Sequence, residues 1–312
     1  MSPLPAEPRP IGELVDVGGY RLQLACQGEG SPTVVMEAAI GETGLIWSRV
    51  QPAVARLTRT CVYDRAGLGW SDASPRPRTA AVMVEELHHL LARAEVPGPY
   101  VLVGHSLGGL LVRLYAVRYP QEVAGLVLVD SAHEDQYRRA PTEIGEVVPQ
   151  FEDQGRQQLE GLKALIISGS LDVGMLPIPP GLPPVAADTF RALVAASPKH
   201  VETLLAEQRA VQAIHAELAA AGITSLGDLP LIVLSHGQPM AMPGLPDAVN
   251  QAYEQLWQEL QAELAGLSSR GRLVVAHDSG HYIQLERPGL VIDAIGEVVA
   301  AGRTSQDRTH LG

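Results

Sequence analysis

The sequence predicts an α/β protein with a mostly parallel central sheet, helices on both of its faces and one long helical insertion. Short, near-continuous Val/Leu runs such as Val101–Val103 and Leu126–Val129 alternate with amphipathic stretches, the pattern of strands buried on both faces. The first two runs are joined by Gly18-Gly19, a hairpin signal, so the sheet begins antiparallel. The rhythm breaks only once, between about His133 and Gly227.

Element by element, strands are expected at Glu13–Val17, Arg21–Cys26 and Thr33–Met36, preceded by a loose arm over residues 1–10 that carries four prolines. A helix is expected from about Trp47 to Leu57, a strand at Thr60–Tyr63, and a helix at Ala80–Ala94. Then come a strand at Tyr100–Val103, a helix at Leu107–Arg118 and a strand at Gly125–Val129. Residues 133–227 read as a mainly helical cap, including a helix at Pro198–Leu218 with Val201, Leu204 and Leu205 on one stripe and an irregular, proline-rich loop at Met175–Val185. The alternation resumes with strand Leu231–Leu234, helix Asp247–Leu267, strand Arg272–Ala276 and helix Pro288–Ala301. This gives a core of residues 11–132 and 228–302 and a frayed tail over 303–312.

Composition narrows the function. With 46% hydrophobic residues, disordered and fibrous classes fail. The net charge of -12 and the presence of only two lysines, Lys163 and Lys199, disfavour nucleic acid and anionic membrane surfaces as partners. Cys26 and Cys61 are the only cysteines, too few for a disulfide framework or a Cys-rich zinc site. The first residues lack the pattern of a signal peptide, and no run is long and apolar enough to span a bilayer. A soluble cytoplasmic protein is the expectation, and the sequence sets no oligomeric state.

The strongest chemical signal is Val101-Leu102-Val103-Gly104-His105-Ser106-Leu107-Gly108-Gly109, a buried strand running through Gly-X-Ser-X-Gly directly into a helix. That turn lifts the Ser106 hydroxyl above the strand end, and the flanking glycines leave room for the crossing chain. Ser106 is the expected nucleophile, and the Leu107 N–H at the helix start an expected oxyanion donor. A serine nucleophile needs a histidine base oriented by a carboxylate. His281, in the Asp278-Ser279-Gly280-His281-Tyr282 loop after the last strand, suits the base. His277 reads as a half-buried strand residue, and its i, i+4 spacing with His281 falls off any helix, which argues against a metal pair. For the acid, the segment after Leu234 reads Ser235-His236-Gly237-Gln238 and holds none. Asp130 ends a strand at the catalytic edge and is the first choice, with Asp247, a possible helix cap, as the alternative.

Taken together these segments resemble the α/β-hydrolase superfamily over about Ile11–Ala301, less the insertion, and most nearly its bacterial esterase-like members with a helical cap. Tyr63-Asp64-Arg65-Ala66-Gly67-Leu68-Gly69-Trp70-Ser71-Asp72 and Leu126–Ala132 belong to the likeness. Members such as haloalkane dehalogenases carry their acid at the position of Asp130. Where relatives commonly read His-Gly-X-Gly after the third strand, this chain has Ala38-Ala39-Ile40-Gly41 behind Glu37. Alignment on Gly41 and Trp47 makes the Ile40 N–H the second oxyanion donor, with Ala39 next. The Asp64–Asp72 motif reads as structural.

The resemblance implies a serine hydrolase acting on small to medium, fairly apolar carboxylic esters, with a small-molecule substrate and no cofactor. A lactonase, thioesterase or C–C bond hydrolase would use the same triad, and a non-catalytic ligand-binding member would need no base. Leu165, Ile166, Ile167, Leu171, Val173, Met175, Leu176 and Ile178 either line an acyl pocket or pack the cap onto the core.

Overall fold

The computed structural model describes residues 8–240 and 242–309, with side chains described to residue 304. Eight strands, β1 (Glu13–Asp16), β2 (Arg21–Gln27), β3 (Thr33–Glu37), β4 (Thr60–Tyr63), β5 (Tyr100–His105), β6 (Val123–Val129), β7 (Leu231–His236) and β8 (Gly271–Ala276), form one sheet. Their order is β1-β2-β4-β3-β5-β6-β7-β8. The first hairpin and the β2–β4 pairing are antiparallel, and every later pairing is parallel. The helices are α1 (Gln51–Val54), α2 (Ala80–Arg93), α3 (Leu107–Arg118), α4 (Thr142–Ile167), α5 (Pro184–Ala196), α6 (Lys199–Ala221), α7 (Asp247–Gly266), α8 (Ile283–Glu286) and α9 (Pro288–Thr309). The α/β class and the mostly parallel sheet are as the sequence predicts.

The alternation of side chains along each strand explains the continuous Val/Leu runs. Leu102, Leu126, Leu128 and Val233 point to one face, where they pack with Leu87, Leu90, Leu110 and Leu114 of α2 and α3. Val101, Val103, Val127, Val129 and Leu234 point to the other, against Val291, Ile295 and Val298 of α9. Helices cover both faces, which is why consecutive residues of these strands are apolar.

Two expectations are corrected, and two further points of the sequence are decided. The helix expected at Trp47–Leu57 is a 3₁₀ turn at Gly44–Trp47 followed by the single α-turn of α1, because Pro52 supplies no N–H to an earlier carbonyl and can only begin a helix. Residues 303–309 of the expected tail continue α9. Cys26 and Cys61 are bonded to one another: the β2–β4 register sets them directly opposite, with their Cα atoms 4.0 Å apart. Finally, of the two readings of the apolar stretch after residue 164, packing holds for much of it. Ile166 and Leu176 are buried with Val194, Val201 and Leu205 in a small separate core, whereas Leu165, Ile167 and Met175 are exposed. Successive residues of α4 project about 100° apart, so 165 and 167 cannot share the inward face of 166. The first seven residues of the expected arm and residues 310–312 of the tail lie outside the described residues.

Between β6 and β7 the inserted helices reach back over the strand ends, and a buried ion pair fastens them there. Glu207 of α6 receives both Nε and Nη2 of Arg65 at 2.8 Å, and Arg65 Nη1 reaches Glu37 at 2.7 Å. All three side chains are almost wholly buried. Removing one partner of such a pair strands the other charge in an apolar site. Glu207→Ala is therefore expected to cost about 3–5 kcal/mol in chemical denaturation, whereas a loss under about 1 kcal/mol would mean the pair contributes nothing net.

Candidate active site

β5 ends at His105, and the chain turns through Ser106 straight into α3. Ser106 lies at φ 51°, ψ -116°, a strained conformation for a residue with a side chain. The turn is possible because Gly104 and Gly108 bring backbones together: a Cβ on Gly104 would sit 2.5 Å from the Gly108 carbonyl, and one on Gly108 2.6 Å from the Glu37 carbonyl. Ser106 N–H is tied to Val129 O at 3.2 Å and its carbonyl accepts from Ala132 N–H at 3.0 Å, which fixes the turn against the end of β6.

Asp130 follows β6 directly, also at positive φ (42°), with its N–H donating to Leu234 O at 2.7 Å. Because β5, β6 and β7 are parallel and in register, Ser106, Asp130 and His236 emerge at adjacent strand ends. His281, on the loop after β8, places Nδ1 2.6 Å from Asp130 Oδ2. The His281 ring is about one-quarter exposed and Asp130 is fully buried. His105, the X of the serine motif, donates from Nε2 to the His281 carbonyl at 3.0 Å, and its Nδ1 lies 3.0 Å from Gln284 Nε2 and 3.3 Å from Glu42 Oε2. The Ser106 turn thus holds the loop that carries His281.

Asp130 collects further donors. His236 N–H reaches Oδ1 at 3.0 Å, Trp257 Nε1–H reaches it at 3.1 Å, and His236 Nδ1 lies 2.9 and 2.8 Å from the two oxygens. Burial alone would raise the Asp130 carboxyl, but the bonds from His236 and His281 outweigh it and hold the group well below the usual carboxylate range. His236 is buried, which opposes its charge, yet its bonds to Asp130 and Glu254 push it up to about 9.

The loop after β3 is held from three sides. Ala39 N–H donates to Glu42 at 3.2 Å and Gly41 N–H to Glu207 at 2.8 Å. Between them, the Ile40 N–H has no acceptor among the described residues. Arg65 donates to the carbonyls of Ala38 and Ala39 at 2.8 and 2.7 Å, so with its two carboxylates all five guanidinium N–H groups are used. His200 of α6 donates from Nε2 to Gly41 O at 3.0 Å and accepts at Nδ1 from Gly69 N–H; burial pushes this ring down to about 4, so it is neutral. Burial raises Asp64 to about 6, against bonds from Gly44 and Trp70 N–H that order the turn.

Of the residues expected from sequence, the structure gathers Ser106, Asp130, His281, Leu107 and Ile40 at one edge of the sheet. Asp247 is not brought to His281: it opens α7 as an exposed first-turn acid and lines a surface cavity of about 460 Å³ with Glu254. Asp278 pairs with Arg287 on the surface. His277 is exposed just beyond β8, not half-buried within it. The sequence reading missed His236, Glu254 and Trp257 around the acid, and Arg65 as more than a turn residue. The signals were present: Glu254, Trp257 and Gln261 lie at i, i+3, i+7 on one face of α7.

A family profile described as alpha/beta hydrolase fold matches residues 32–165. An uncharacterized protein of Schizosaccharomyces pombe is 28% identical over 257 residues, 81% of this chain but 44% of that protein, so the chain spans under half of that relative. Among solved structures, one described as Est816, an N-acyl homoserine lactone degrading enzyme, superposes with a TM-score of 0.64 at 21% identity, covering 91% of this chain and 98% of that one. A thermophilic esterase from Thermogutta terrifontis gives 0.62 at 21% identity, covering 91% and 94%.

The charge of His236 carries a pH signature. Its folded value lies above the ordinary 6.5, so its stabilisation is complete below about 6.5 and is lost as pH rises through about 9. Thermal unfolding followed from pH 6.5 to 9.5 is expected to show a falling Tm, and Asp130→Asn is expected to flatten that slope. Equal slopes in both proteins would remove the coupling between the two residues.

Proposed function

Since the chain belongs to the α/β-hydrolase superfamily, we propose that it is a serine hydrolase cleaving small to medium carboxylic esters through an acyl-enzyme on Ser106. The observation that carries this reading is the 2.6 Å bond from His281 Nδ1 to a buried, ionised Asp130, one strand end away from a strained serine turn. A histidine that donates from Nδ1 to a carboxylate presents a basic Nε2, which is what a serine hydroxyl needs to lose its proton on attack.

In this mechanism Ser106 Oγ bonds to the substrate carbonyl carbon while its proton passes to His281 Nε2. The carbonyl oxygen becomes an oxyanion, which the N–H groups of Leu107 and Ile40 receive. What supports Ile40 over Ala39 is that the Ala39 N–H is already committed to Glu42. The C–O bond to the leaving group then breaks, and His281 returns the proton to the departing alcohol. Water, deprotonated by His281, adds to the acyl carbon and releases the acid and Ser106. Asp130 keeps its charge throughout and stabilises the imidazolium. A lactone is a cyclic ester open to the same steps, and the likeness to a lactone-degrading enzyme makes lactones the first alternative substrates to try.

Ser106→Ala is expected to leave less than about a hundredth of wild-type turnover on p-nitrophenyl esters and to abolish labelling by a fluorophosphonate probe, with folding intact by circular dichroism. Folded wild-type protein that resists the probe and turns over no ester, lactone or thioester would point instead to a ligand-binding member of the fold. Asp130→Asn is expected to lower kcat by about 10²–10⁴, and Asp247→Asn to change it by under about two-fold. The reverse pattern would move the acid to Asp247.

A further inference from the structure

His236 stands where no ordinary role requires a histidine. It ends β7, its ring is fully buried, and it stacks on Trp257 with ring centroids 5.7 Å apart and planes inclined by 28°. Nδ1 faces both oxygens of Asp130 at 2.9 and 2.8 Å, and Nε2 faces Glu254 Oε2 at 3.1 Å. A neutral imidazole has one N–H and one lone pair, so with carboxylates at both nitrogens it would aim that lone pair at an anion. Only the doubly protonated ring donates to both. We propose that His236 is a positioning residue: an imidazolium, charged at neutral pH and clamped between Asp130 and Glu254, that fixes the Asp130 carboxylate behind His281. The proposal rests on reading Asp130 as the acid of the triad.

The chemistry of this row follows from its charges. Glu254, His236, Asp130 and His281 line up in that order, linked by hydrogen bonds of 3.1, 2.8 and 2.6 Å. When His281 takes the serine proton, the charges alternate along the whole row and sum to zero. Without the His236 ring, Oδ2 would be held by His281 alone, since Trp257 Nε1–H and His236 N–H both bond Oδ1. His236 bridges both oxygens and so sets the plane of the carboxylate. It also lends a positive charge to the far side of Asp130, which weakens the hold of that carboxylate on a proton at His281. The groups facing His236 are Asp130 from the end of β6, Glu254 from α7, and His281 through Asp130. Glu254 is about one-fifth exposed and opens on the cavity that Asp247 also lines, so the far end of the row meets solvent.

The test combines a spectrum with a rate profile. In protein labelled with ¹⁵N-histidine and carrying Ser106→Ala, the His236 ring is expected to show both nitrogens protonated at pH 7.5, and this signal is expected to vanish in Ser106→Ala/His236→Gln. An unprotonated ring nitrogen at that pH overturns the proposal, without reference to turnover. In the active enzyme, His236→Gln is expected to lower kcat about ten-fold or more with KM within about two-fold, and to move the acid limb of the pH–rate profile up by on the order of one pH unit. Glu254→Gln, a substitution at a partly exposed site, is expected to let His236 lose its proton at lower pH in the same spectrum. A His236→Gln profile that superimposes on wild type, in a protein whose Ser106→Ala variant is dead, overturns the positioning role while leaving the triad standing. Turnover surviving in Ser106→Ala overturns the triad, and the spectrum then still decides the charge of His236.

Discussion

The five-bonded guanidinium of Arg65 is the constraint on which the geometry of the strand ends depends. It stands after β4 and donates to the Ala38 and Ala39 carbonyls, to Glu37 at the end of β3 and to Glu207 of the inserted helix α6. In the proposed mechanism this loop offers an N–H group to a transient charge, so it cannot fold that group into a helix or sheet. Its carbonyls therefore need partners from outside, and a fork with fixed geometry supplies them in one place. Burying this charge is costly, but two carboxylates meet it, and Tyr63 donates to Glu37.

A second cluster of charge surrounds Asp130, organised on the opposite principle. Arg65 holds backbone; Asp130 is itself held, by two histidine rings, an indole and a backbone N–H. The two clusters are joined at Glu42, which accepts from Ala39 N–H at 3.2 Å and lies 3.3 Å from His105 Nδ1. Glu37 precedes the Ala38–Gly41 loop, His105 precedes Ser106 and grips the His281 carbonyl, and Ser106 is tied to both sides of the Asp130 turn. Strain at Ser106 and Asp130 is sustained because each strained residue is pinned by neighbours on adjacent strands.

Much of this was legible in the sequence because it is local or periodic. Val/Leu runs buried on both faces announce parallel strands, and Gly104-His105-Ser106-Leu107-Gly108 announces its turn because the glycines and serine are adjacent. The long-range partners were not legible. Glu207 lies 142 residues from Arg65, on a helix whose stripe of Val201, Leu204 and Leu205 reads simply as core. The stretch Ser235-His236-Gly237-Gln238 holds no carboxylate, and nothing local marks His236 as the partner of an acid on the neighbouring strand. Cys26 and Cys61 meet only once the register of β2 and β4 is known. Helix ends fared worst, since Pro52 breaks one stretch while the polar residues after Gly302 extend another.

The attachment of α6 bears on how such chains diversify. An insertion that leaves after β6 and returns at β7, between adjacent strand ends, looks like a module exchangeable by recombination. Here it is not free-standing, because Glu207 and His200 complete the bonding of Arg65, Gly41 and Gly69, all of which belong to the sheet-end loops. A chimaera carrying a foreign insertion without an acid at that spot would inherit a buried cation and a loosened loop, however well its own helices packed. The heritable unit is the insertion together with the loops after β3 and β4, so variation in one must be matched by variation in the others.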